Sequence, residues 1–324
     1  MKQVAVIYNP GAQVGRALGK IKRVEAGLTT KNIGYDLFLT ESEAHMIELA
    51  ARVVHDYPTI IGAGGDTTIN IIAREILKAR KGNVLGIISQ GSINDLAKGI
   101  GVHKLSDSLH AIANRTYRAM DVGAIRCGDQ EPYLFLAQAS LGLGVVVSRY
   151  VDDWMKHHTF ARRFHKLAQT TAGLSAMYSA FKTKTVPVNL QLQSAGKLHH
   201  IDTSLLVFNN TACFAGIFKP SPTATPLDGQ LDCCVFKSSS FGHMVRTALQ
   251  IKSAKHLEDG KVEIFRDNYF KIFSNQPFEF QIDGEIVRSE CEIEVYTIPR
   301  ALNIMVNAER FPNKTVELTP DDRD

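Results

Sequence analysis

The sequence predicts an α/β protein: an N-terminal three-layer domain built on a parallel sheet, followed by a C-terminal β-sandwich domain that carries a helical insert. Three observations lead to this fold class. Strand-like and helix-like patterns alternate over the first third of the chain, and short strand-like runs separated by turn residues replace them from about residue 122. The length of 324 residues also fits about two domains.

Composition and charge restrict the class of protein further. Hydrophobic residues make up 44% of the chain and charged residues 22%, as in soluble globular proteins with sizeable cores. No apolar run reaches the ~18 residues that a membrane span needs, and the N-terminus lacks a signal-peptide pattern, so a cytoplasmic location is expected. A net charge of +4 is too small to indicate a nucleic-acid partner. The five cysteines contain no C-x-x-C pair and are expected to be reduced.

The first domain is predicted over residues 1–121, where strands and helices alternate. Strand patterns cover 4–10, 34–40, 59–65 and 83–89, and helical patterns cover 15–31, 41–57 and 68–81. Strands joined through helices pair in parallel with right-handed crossovers. The loops after the four strands are therefore expected on one edge of the sheet, where α/β proteins bind ligands.

The second domain is predicted over residues 122–300. Short runs such as DVGAIRCG, FEFQIDG and CEIEVYTI are separated by Gly, Asn, Asp and Pro, which is typical of a β-sandwich or a barrel. A helical insert at 145–182 and a further helix at 240–255 interrupt this pattern. Residues 301–324 form a C-terminal segment that could return to the first domain.

The stretch GGDTT after the third strand is the first candidate site. Gly64 and Gly65 allow an anion to approach the backbone closely, and a helix that starts near Thr68 offers unpaired N–H groups. In that interpretation Asp66 holds Mg²⁺ or orients a phosphate, and the Thr68 hydroxyl donates to a phosphate oxygen. The alternative is a tight turn in which Asp66 or Thr67 serves as the helix N-cap.

The stretch SQGSINDLAKGIG repeats this arrangement after the fourth strand. Gly91 and Ser92 could form a second anion-binding turn, and Asn94 and Asp95 could contact a ribose, a base or Mg²⁺. The alternative is ordinary helix capping by Ser92. Two such loops after neighbouring strands are less expected by chance than one.

Two turns of the second domain carry candidate carboxylates. PLDGQLD (226–232) could bind a hard cation such as Mg²⁺ through oxygen ligands, or it could be a plain hairpin turn. FEFQIDGEIV (278–287) places Glu285 after a strand and an Asp-Gly turn, where it could act as a general base. The alternative for Glu285 is a solvated side chain in an ordinary hairpin.

Residues 154–184 interleave aromatic and basic side chains. Two interpretations stay open: a helical insert with a solvated basic face, and a segment that meets anionic lipid headgroups at a membrane surface. His157, His158 and His165 lack a carboxylate or cysteine partner at a matching spacing, so a metal cluster is not favoured here.

Taken in order, these segments resemble the diacylglycerol kinase catalytic-domain family, in particular its soluble bacterial lipid kinases. The family pattern G-G-D-G-T-x-N-E is similar to residues 64–71, and G-T-x-N-D-F-A-R is similar to residues 91–98. MDVG (120–123), PLDGQLD, AKHLEDGKVEIFR and IDGE follow in the family's order, so the resemblance covers nearly the whole chain. NAD kinases share the G-G-D-G-T turn and the two-domain plan.

The resemblance implies a nucleotide-binding first domain and transfer of phosphate from ATP to the hydroxyl of a diacylglycerol-like or related lipid. Glu285 is implied as the base, with Asp66 as a second catalytic carboxylate. The implied nucleotide-contacting residues are Asn9, Thr40, Gly64, Gly65, Asp66, Thr67, Thr68, Asn70, Gly91, Ser92, Asn94 and Asp95. A structural Mg²⁺ site is implied at the Asp228 carboxylate and the carbonyls of Thr225 and Gln230.

Departures from the family pattern cluster on the nucleotide side. Thr67 replaces a glycine, Ile71 replaces a glutamate, and Ala12 and Gln13 stand where Ser-Gly is usual. Two other interpretations therefore stay open: a lipid-binding descendant without catalysis, and an NAD kinase-like enzyme. The expected partners are ATP and a lipid at the inner face of a membrane, which the protein meets peripherally. A homodimer stays open, because the sequence does not set the oligomeric state.

Overall fold

The computed structural model describes residues 4–10, 14–91, 93–157, 175–183, 188–237, 240–251, 253–288, 291–309 and 311. The chain forms two compact units, one from residues 1–122 with 299–324 and the other from residues 123–298. The first unit is built on parallel strands and the second on antiparallel strands. The predicted fold class is confirmed.

The first unit is a parallel sheet with helices between its strands. Its strands are β1 (Val4–Tyr8), β2 (Asp36–Leu39), β3 (Thr59–Gly64) and β4 (Val84–Ser89), and they lie in the order β4-β3-β1-β2. Its helices are α1 (Val14–Thr30), α2 (Glu43–Asp56), α3 (Asp66–Ala79), α4 (Asp95–Gly99) and α5 (Leu105–Asn114). The last residues of a long strand, Glu292–Met305, extend this sheet by pairing in parallel with β4.

Burial explains why these segments form a parallel sheet. All five residues of β1 are buried, as expected for a strand covered on both faces. Gly62 in β3 lets α3 approach the sheet closely, because a Cβ there would lie 2.7 Å from Cδ1 of Ile69. Backbone hydrogen bonds then tie the loops to neighbouring strands, since Asn9 N–H donates to Ala63 O at 2.9 Å. Thr40 N–H donates to Tyr8 O at 3.0 Å in the same way.

The second unit is antiparallel. Its strands are β5 (Tyr117–Arg126), β6 (Tyr133–Phe135), β7 (Gln138–Gly142), β8 (Val188–Ser194), β9 (Lys197–Asn209), β10 (Leu231–Lys237), β11 (Val262–Asp267), β12 (Tyr269–Phe273), β13 (Glu279–Ile282), β14 (Glu285–Arg288) and β15 (Glu292–Met305). The first residues of β5 and the last of β15 belong to the first unit. The strands follow the order β14-β13-β7-β9-β8-β12-β15, and β9 also pairs with β10, which pairs with β11.

Two apolar clusters hold the second unit together. Inward residues that alternate along the strands form the sandwich core, in which the rings of Phe208 and Phe270 lie 5.2 Å apart. A second cluster lies between the strands β9 and β10 and the helices α6 (Leu143–His157), α7 (175–182) and α8 (Phe241–Ile251). A short 3₁₀ helix, Lys255–Glu258, follows α8.

The predicted helical insert at 145–182 is described only in part. Helix α7 and all but the first two residues of α6 lie within it, whereas residues 158–174 fall outside the described residues. The interpretation of 154–184 as a lipid-facing segment falls largely outside them too, because side chains in this segment are described only for 175–183. Within the described part of the chain, no helix is long and apolar enough to cross a membrane.

Two leucines of β9 test the sandwich core with one matched substitution. Leu206 is fully buried in the core, whereas Leu198 is 52% exposed. Leu206→Ala is expected to lower the free energy of unfolding by about 2–5 kcal/mol, because it leaves a cavity in a close-packed region. Leu198→Ala is expected to change it by no more than ~0.5 kcal/mol. Urea unfolding of both variants measures the difference, and equal losses would contradict this assignment of the core.

Candidate functional site

The loop after β3 leads directly into α3, which begins at Asp66 rather than near Thr68. Gly65 is the N-cap residue, its backbone is extended, and as a glycine it gives the first turn no capping side chain. The alternative in which Asp66 or Thr67 caps this helix is therefore wrong. The N–H groups in the first turn of a helix can bind an anion, and a glycine N-cap offers them no side-chain acceptor of its own.

The carboxylate of Asp66 points at the other loop. Its Oδ2 accepts a hydrogen bond from the N–H of Asn94 at 2.7 Å, and the N–H groups of Asp95 and Leu96 also hydrogen-bond to this carboxylate. Desolvation raises the pKa of Asp66, and the amide bonds and the charge of Lys98 oppose that rise only in part. Asp66 thus caps the start of α4 across 28 residues of sequence and joins the two loops.

Glycine is needed where these two loops meet. A Cβ on Gly91 would lie 2.7 Å from Cα of Gly65 and 2.8 Å from Oδ1 of Asn94. Asn94 has a φ of +54°, and its Nδ2 donates to Gly91 O at 2.7 Å. The close approach of Gly65 and Gly91 therefore sets the spacing of the loops, whatever ligand they bind. Ser92, also predicted for this site, lies outside the described residues.

Asn9 connects the loop after β1 to α3. Its Nδ2 donates to Oγ1 of Thr68 at 3.0 Å, and Thr68 is only 1% exposed. A Cβ on Gly64 would lie 2.4 Å from the same oxygen, so Gly64 makes room for this contact. Asn70, further along α3, is also buried. These predicted contact residues therefore pack the loops together beneath the surface.

A pocket of about 280 Å³ opens beside these loops. It is lined by Asn9, Pro10, Thr40, Glu41, Ser42, Glu43, Met46 and Thr67. The exposed side chain of Thr67 forms part of its wall, whereas Ile71, the other departure from the family pattern, is 5% exposed and belongs to the core.

Three of the pocket residues, Asn9, Thr40 and Thr67, were predicted from the sequence, whereas those around the start of α2 were not. Ser42 caps that helix by accepting a hydrogen bond from His45 N–H at 3.1 Å. A serine before an apolar-periodic run is a recognisable helix start, and this signal could have placed the neighbouring acidic residues at the ligand edge.

The turn proposed for Mg²⁺ lies in the second unit. Asp228 is exposed, its Oδ1 accepts from Gln230 N–H at 3.1 Å, and Gly229 has a φ of +73°. The hydroxyl of Thr225 is buried with no partner among the described residues. Carboxylate, carbonyl and hydroxyl oxygens are donors that suit a hard cation. The residues present therefore fit Mg²⁺.

Asp232 holds the segment before this turn in place. It accepts from Nε of Arg266 at 2.6 Å and from Nη2 at 3.0 Å, and the Ser221 hydroxyl also donates to it. The hydrogen bond to Asp232 raises the pKa of Arg266, and the charge of Asp228 adds to that effect. Arg266 Nη2 also donates to the Thr223 hydroxyl at 3.1 Å, so the chain on the approach to Asp228 is anchored at several points.

Glu285 is the first residue of β14, in the hairpin that β13 and β14 form. It pairs with Ile282 across the turn residues Asp283 and Gly284, whose φ values are +44° and +103°. Its side chain is exposed, so a substrate hydroxyl can reach it. The position of Glu285 is therefore set by a strand and a tight turn.

Comparisons with known proteins give a family match for each of the two units. Residues 3–125 match the family model of the diacylglycerol kinase catalytic domain, and residues 138–306 match that of the YegS C-terminal NAD kinase beta sandwich-like domain. A diacylglycerol kinase of Bacillus subtilis (strain 168) is 24% identical over 296 residues, which cover 88% of this chain and 90% of that protein. A diacylglycerol kinase of Staphylococcus aureus (strain JH9) is 23% identical, with 98% of each chain covered.

Solved structures show the same fold. A crystal structure of a diacylglycerol kinase from Bacillus anthracis (strain Sterne) is similar with a TM-score of 0.71 and 15% identity, over 95% of this chain and 98% of that one. A second structure from the same organism gives a TM-score of 0.74 and 20% identity over the same shares. With its parallel first unit, its sandwich second unit and family models matched across both, the chain belongs to the diacylglycerol kinase family with the NAD kinase-like two-domain architecture.

Proposed function

We propose that the protein is an ATP-dependent kinase that transfers the γ-phosphate to the hydroxyl of a diacylglycerol-like lipid. The observation that carries this proposal is the pair of glycine loops that Asp66 holds together beside the first turn of α3, whose N-cap residue is a glycine. Such a turn offers backbone N–H groups to a phosphate. Family membership supports a lipid as the acceptor, and relatives named diacylglycerol kinase suggest its class.

In this proposal the glycine loops bind the phosphates of ATP and the pocket binds its nucleoside part. The first-turn amides of α3 and the loop at Gly91 would face the phosphates. Asn9, Thr40 and Thr67 line the pocket, which would take the uncharged nucleoside part of ATP. Glu41 and Glu43 support this division, because two carboxylates on the pocket wall repel phosphate and can accept hydrogen bonds from a base or a ribose.

Glu285 is the proposed general base, and it would take the proton from the lipid hydroxyl as the new O–P bond forms. Mg²⁺, when bound, would neutralise charge and order the Asp228 turn, with the carbonyls of Thr225 and Gln230 as further ligands. Asp66, predicted as catalytic, is here proposed to act by holding the loops, since its carboxylate is already engaged with backbone amides. The lipid would be met at the inner membrane face, with peripheral contact only.

Two other functions have specific support. Thr67 stands on the pocket wall where the family pattern has glycine, which favours a lipid-binding protein without phosphoryl transfer. The match of the second unit to an NAD kinase beta sandwich-like domain favours phosphorylation of NAD. One panel separates these functions: ATP consumption measured with diacylglycerol in mixed micelles, with a sphingoid base and with NAD. Turnover with NAD alone, or with no acceptor at all, would overturn the lipid kinase proposal.

The loop contact gives the first prediction for this site. Gly91→Ala is expected to weaken ATP binding on the order of tenfold, ~1.4 kcal/mol, because the new methyl group pushes the loop away from Gly65. Gly34→Ala is the control, since a Cβ there would meet no described atom within 4 Å. Calorimetric titration with ATP measures both. Unchanged affinity in Gly91→Ala would show that the spacing of the loops does not matter for the nucleotide.

The cation turn gives the second prediction. A ligand at a hundredfold excess over its Kd stabilises the folded state by about 2.7 kcal/mol. Asp228→Ala is therefore expected to remove most of the Mg²⁺-dependent rise in Tm, and Asp129→Ala, in another exposed turn of the same unit, should keep it. If both variants keep the full rise, Asp228 is a turn residue and the cation binds elsewhere.

The base gives the third prediction. Glu285→Gln keeps the size of the side chain and removes its basicity, so kcat is expected to fall by roughly 10²–10⁴-fold with ATP affinity unchanged. Glu258→Gln, an exposed glutamate of the same unit, should leave kcat unchanged. Single-turnover phosphorylation of the best acceptor measures the effect. Transfer by Glu285→Gln within a few-fold of the wild-type rate would remove Glu285 from the mechanism.

A further inference from the structure

The turn before Glu285 contains a carboxylate that the turn itself does not need. Asp283 and Gly284 form the two-residue turn between β13 and β14, and both have positive φ values, +44° and +103°. Asn-Gly satisfies such a turn as well as Asp-Gly does, because both residue pairs accept positive φ. The charge of Asp283 therefore has to be explained by what the carboxylate contacts.

That carboxylate accepts three backbone N–H groups from the segment that leads into β7. Oδ2 accepts from Leu136 at 2.7 Å, and Oδ1 accepts from Ala137 at 3.0 Å and from Gln138 at 2.9 Å. The N–H of Asp283 returns a hydrogen bond to Gln138 O at 3.0 Å. Hydrogen bonds to an ionised acceptor are stronger than neutral ones, so this is a firm attachment.

The segment that receives Asp283 is itself held from its other side. Asn210 Nδ2 donates to Leu136 O at 2.7 Å. The backbone N–H groups of Asn210 and Thr211 both donate to Ala137 O, at 3.0 Å and 3.1 Å. The N–H groups of Leu136 and Ala137 point to Asp283 and their carbonyls point to the start of the segment after β9. Asp283 is therefore fixed to a part of the sandwich that is already rigid.

The paired residues of β13 and β7 end at Ile282, and a single backbone hydrogen bond, from Asp283 N–H to Gln138 O, continues the pairing to the turn. β13 pairs with β7 from Phe280–Leu141 to Ile282–Ala139, and Glu285 follows on β14, the terminal strand of this order. The Asp283 contacts continue the attachment past the last ladder pair, to the turn from which Glu285 projects. Without the carboxylate contacts, the tip of the hairpin would be attached to β7 only through the backbone hydrogen bonds of β13 and Asp283.

We propose that Asp283 is a positioning residue for Glu285: its carboxylate fastens the tip of the hairpin to residues 136–138 and so fixes the direction in which Glu285 meets the acceptor hydroxyl. The proposal rests on the proposed role of Glu285 as the base. A misplacement of about 1 Å at a reacting group costs on the order of 10²-fold in rate. Loss of these hydrogen bonds should therefore lower kcat. It should leave nucleotide binding unchanged, because the proposed nucleotide site lies in the other unit.

Asp283→Asn is the decisive variant, because it keeps the turn-forming residue pair and replaces one acceptor oxygen by an amino group that cannot accept. We expect kcat to fall by about 10–100-fold with ATP affinity unchanged and with the shape of the pH–rate profile retained. Asp267→Asn is the matched control, since Asp267 likewise accepts backbone N–H groups, from Ala195 and Asn268, at a turn of the same unit. It should lose stability without losing kcat.

A double variant shows whether Asp283 acts through Glu285. In a Glu285→Gln background, Asp283→Asn should lower kcat by no more than about twofold. The glutamine does not act as a base, so a change in its position should have little further effect on the rate. Full additivity of the two losses would overturn the proposal, as would an equal kcat loss in Asp267→Asn or a kcat within twofold of wild type in Asp283→Asn.

Amide hydrogen exchange provides a readout that does not depend on activity. Asp283→Asn should speed exchange at residues 136–138 and at Glu285, relative to Asp267→Asn. Unchanged exchange at these amides would overturn the positioning proposal even in an active enzyme. If the wild type transfers phosphate to no acceptor of the panel, the proposed function fails, and the exchange result still decides whether Asp283 fastens the hairpin.

Discussion

The hydrogen bonds from the start of α4 to the Asp66 carboxylate are the interaction on which the arrangement of the two glycine loops depends. They hold the loop after β4 against the first turn of α3. The net rise in the pKa of Asp66 means that burial outweighs the amide bonds. Its contribution to stability is full below the unfolded-state pKa and is lost as pH rises through the folded-state pKa. The ionised form of this carboxylate therefore costs stability, as is common at functional sites.

The register of the parallel sheet decides which loop residues can meet. Gly64 pairs with Ser89 across β3 and β4, and Gln90 N–H donates to Gly64 O at 2.8 Å. The next residues, Gly65 and Gly91, are thereby brought into contact at a distance that excludes a side chain on Gly91. The glycines of both loops therefore permit this close packing.

Much of this fold follows from local patterns, and the contacts between the loops do not. Buried apolar runs predict β1, β3 and β4, and alternation predicts the strands of the sandwich, because burial on two faces or on one leaves a periodic trace. The local patterns did not predict α5, and they did not indicate that Asp66 would cap α4, 28 residues away, instead of its own helix. Such a choice depends on the register between strands, which a single sequence does not encode locally. The glutamates near α2 differ, because the local helix-start signal at Ser42 could have placed them.

Asp66 and Asp283 show one physical solution used twice, once in each unit. Each aspartate belongs to a motif whose pattern suggests a catalytic or metal-binding role. In each case the carboxylate accepts hydrogen bonds from three successive backbone N–H groups of another segment. A carboxylate suits this task because it presents several acceptor positions and gains from the charge. A charge committed in this way is poorly placed to take a proton from a substrate. Glu285, the proposed base, lies two residues after one of these anchors and its side chain is exposed, so the two aspartates and the glutamate fit different roles in the proposed mechanism.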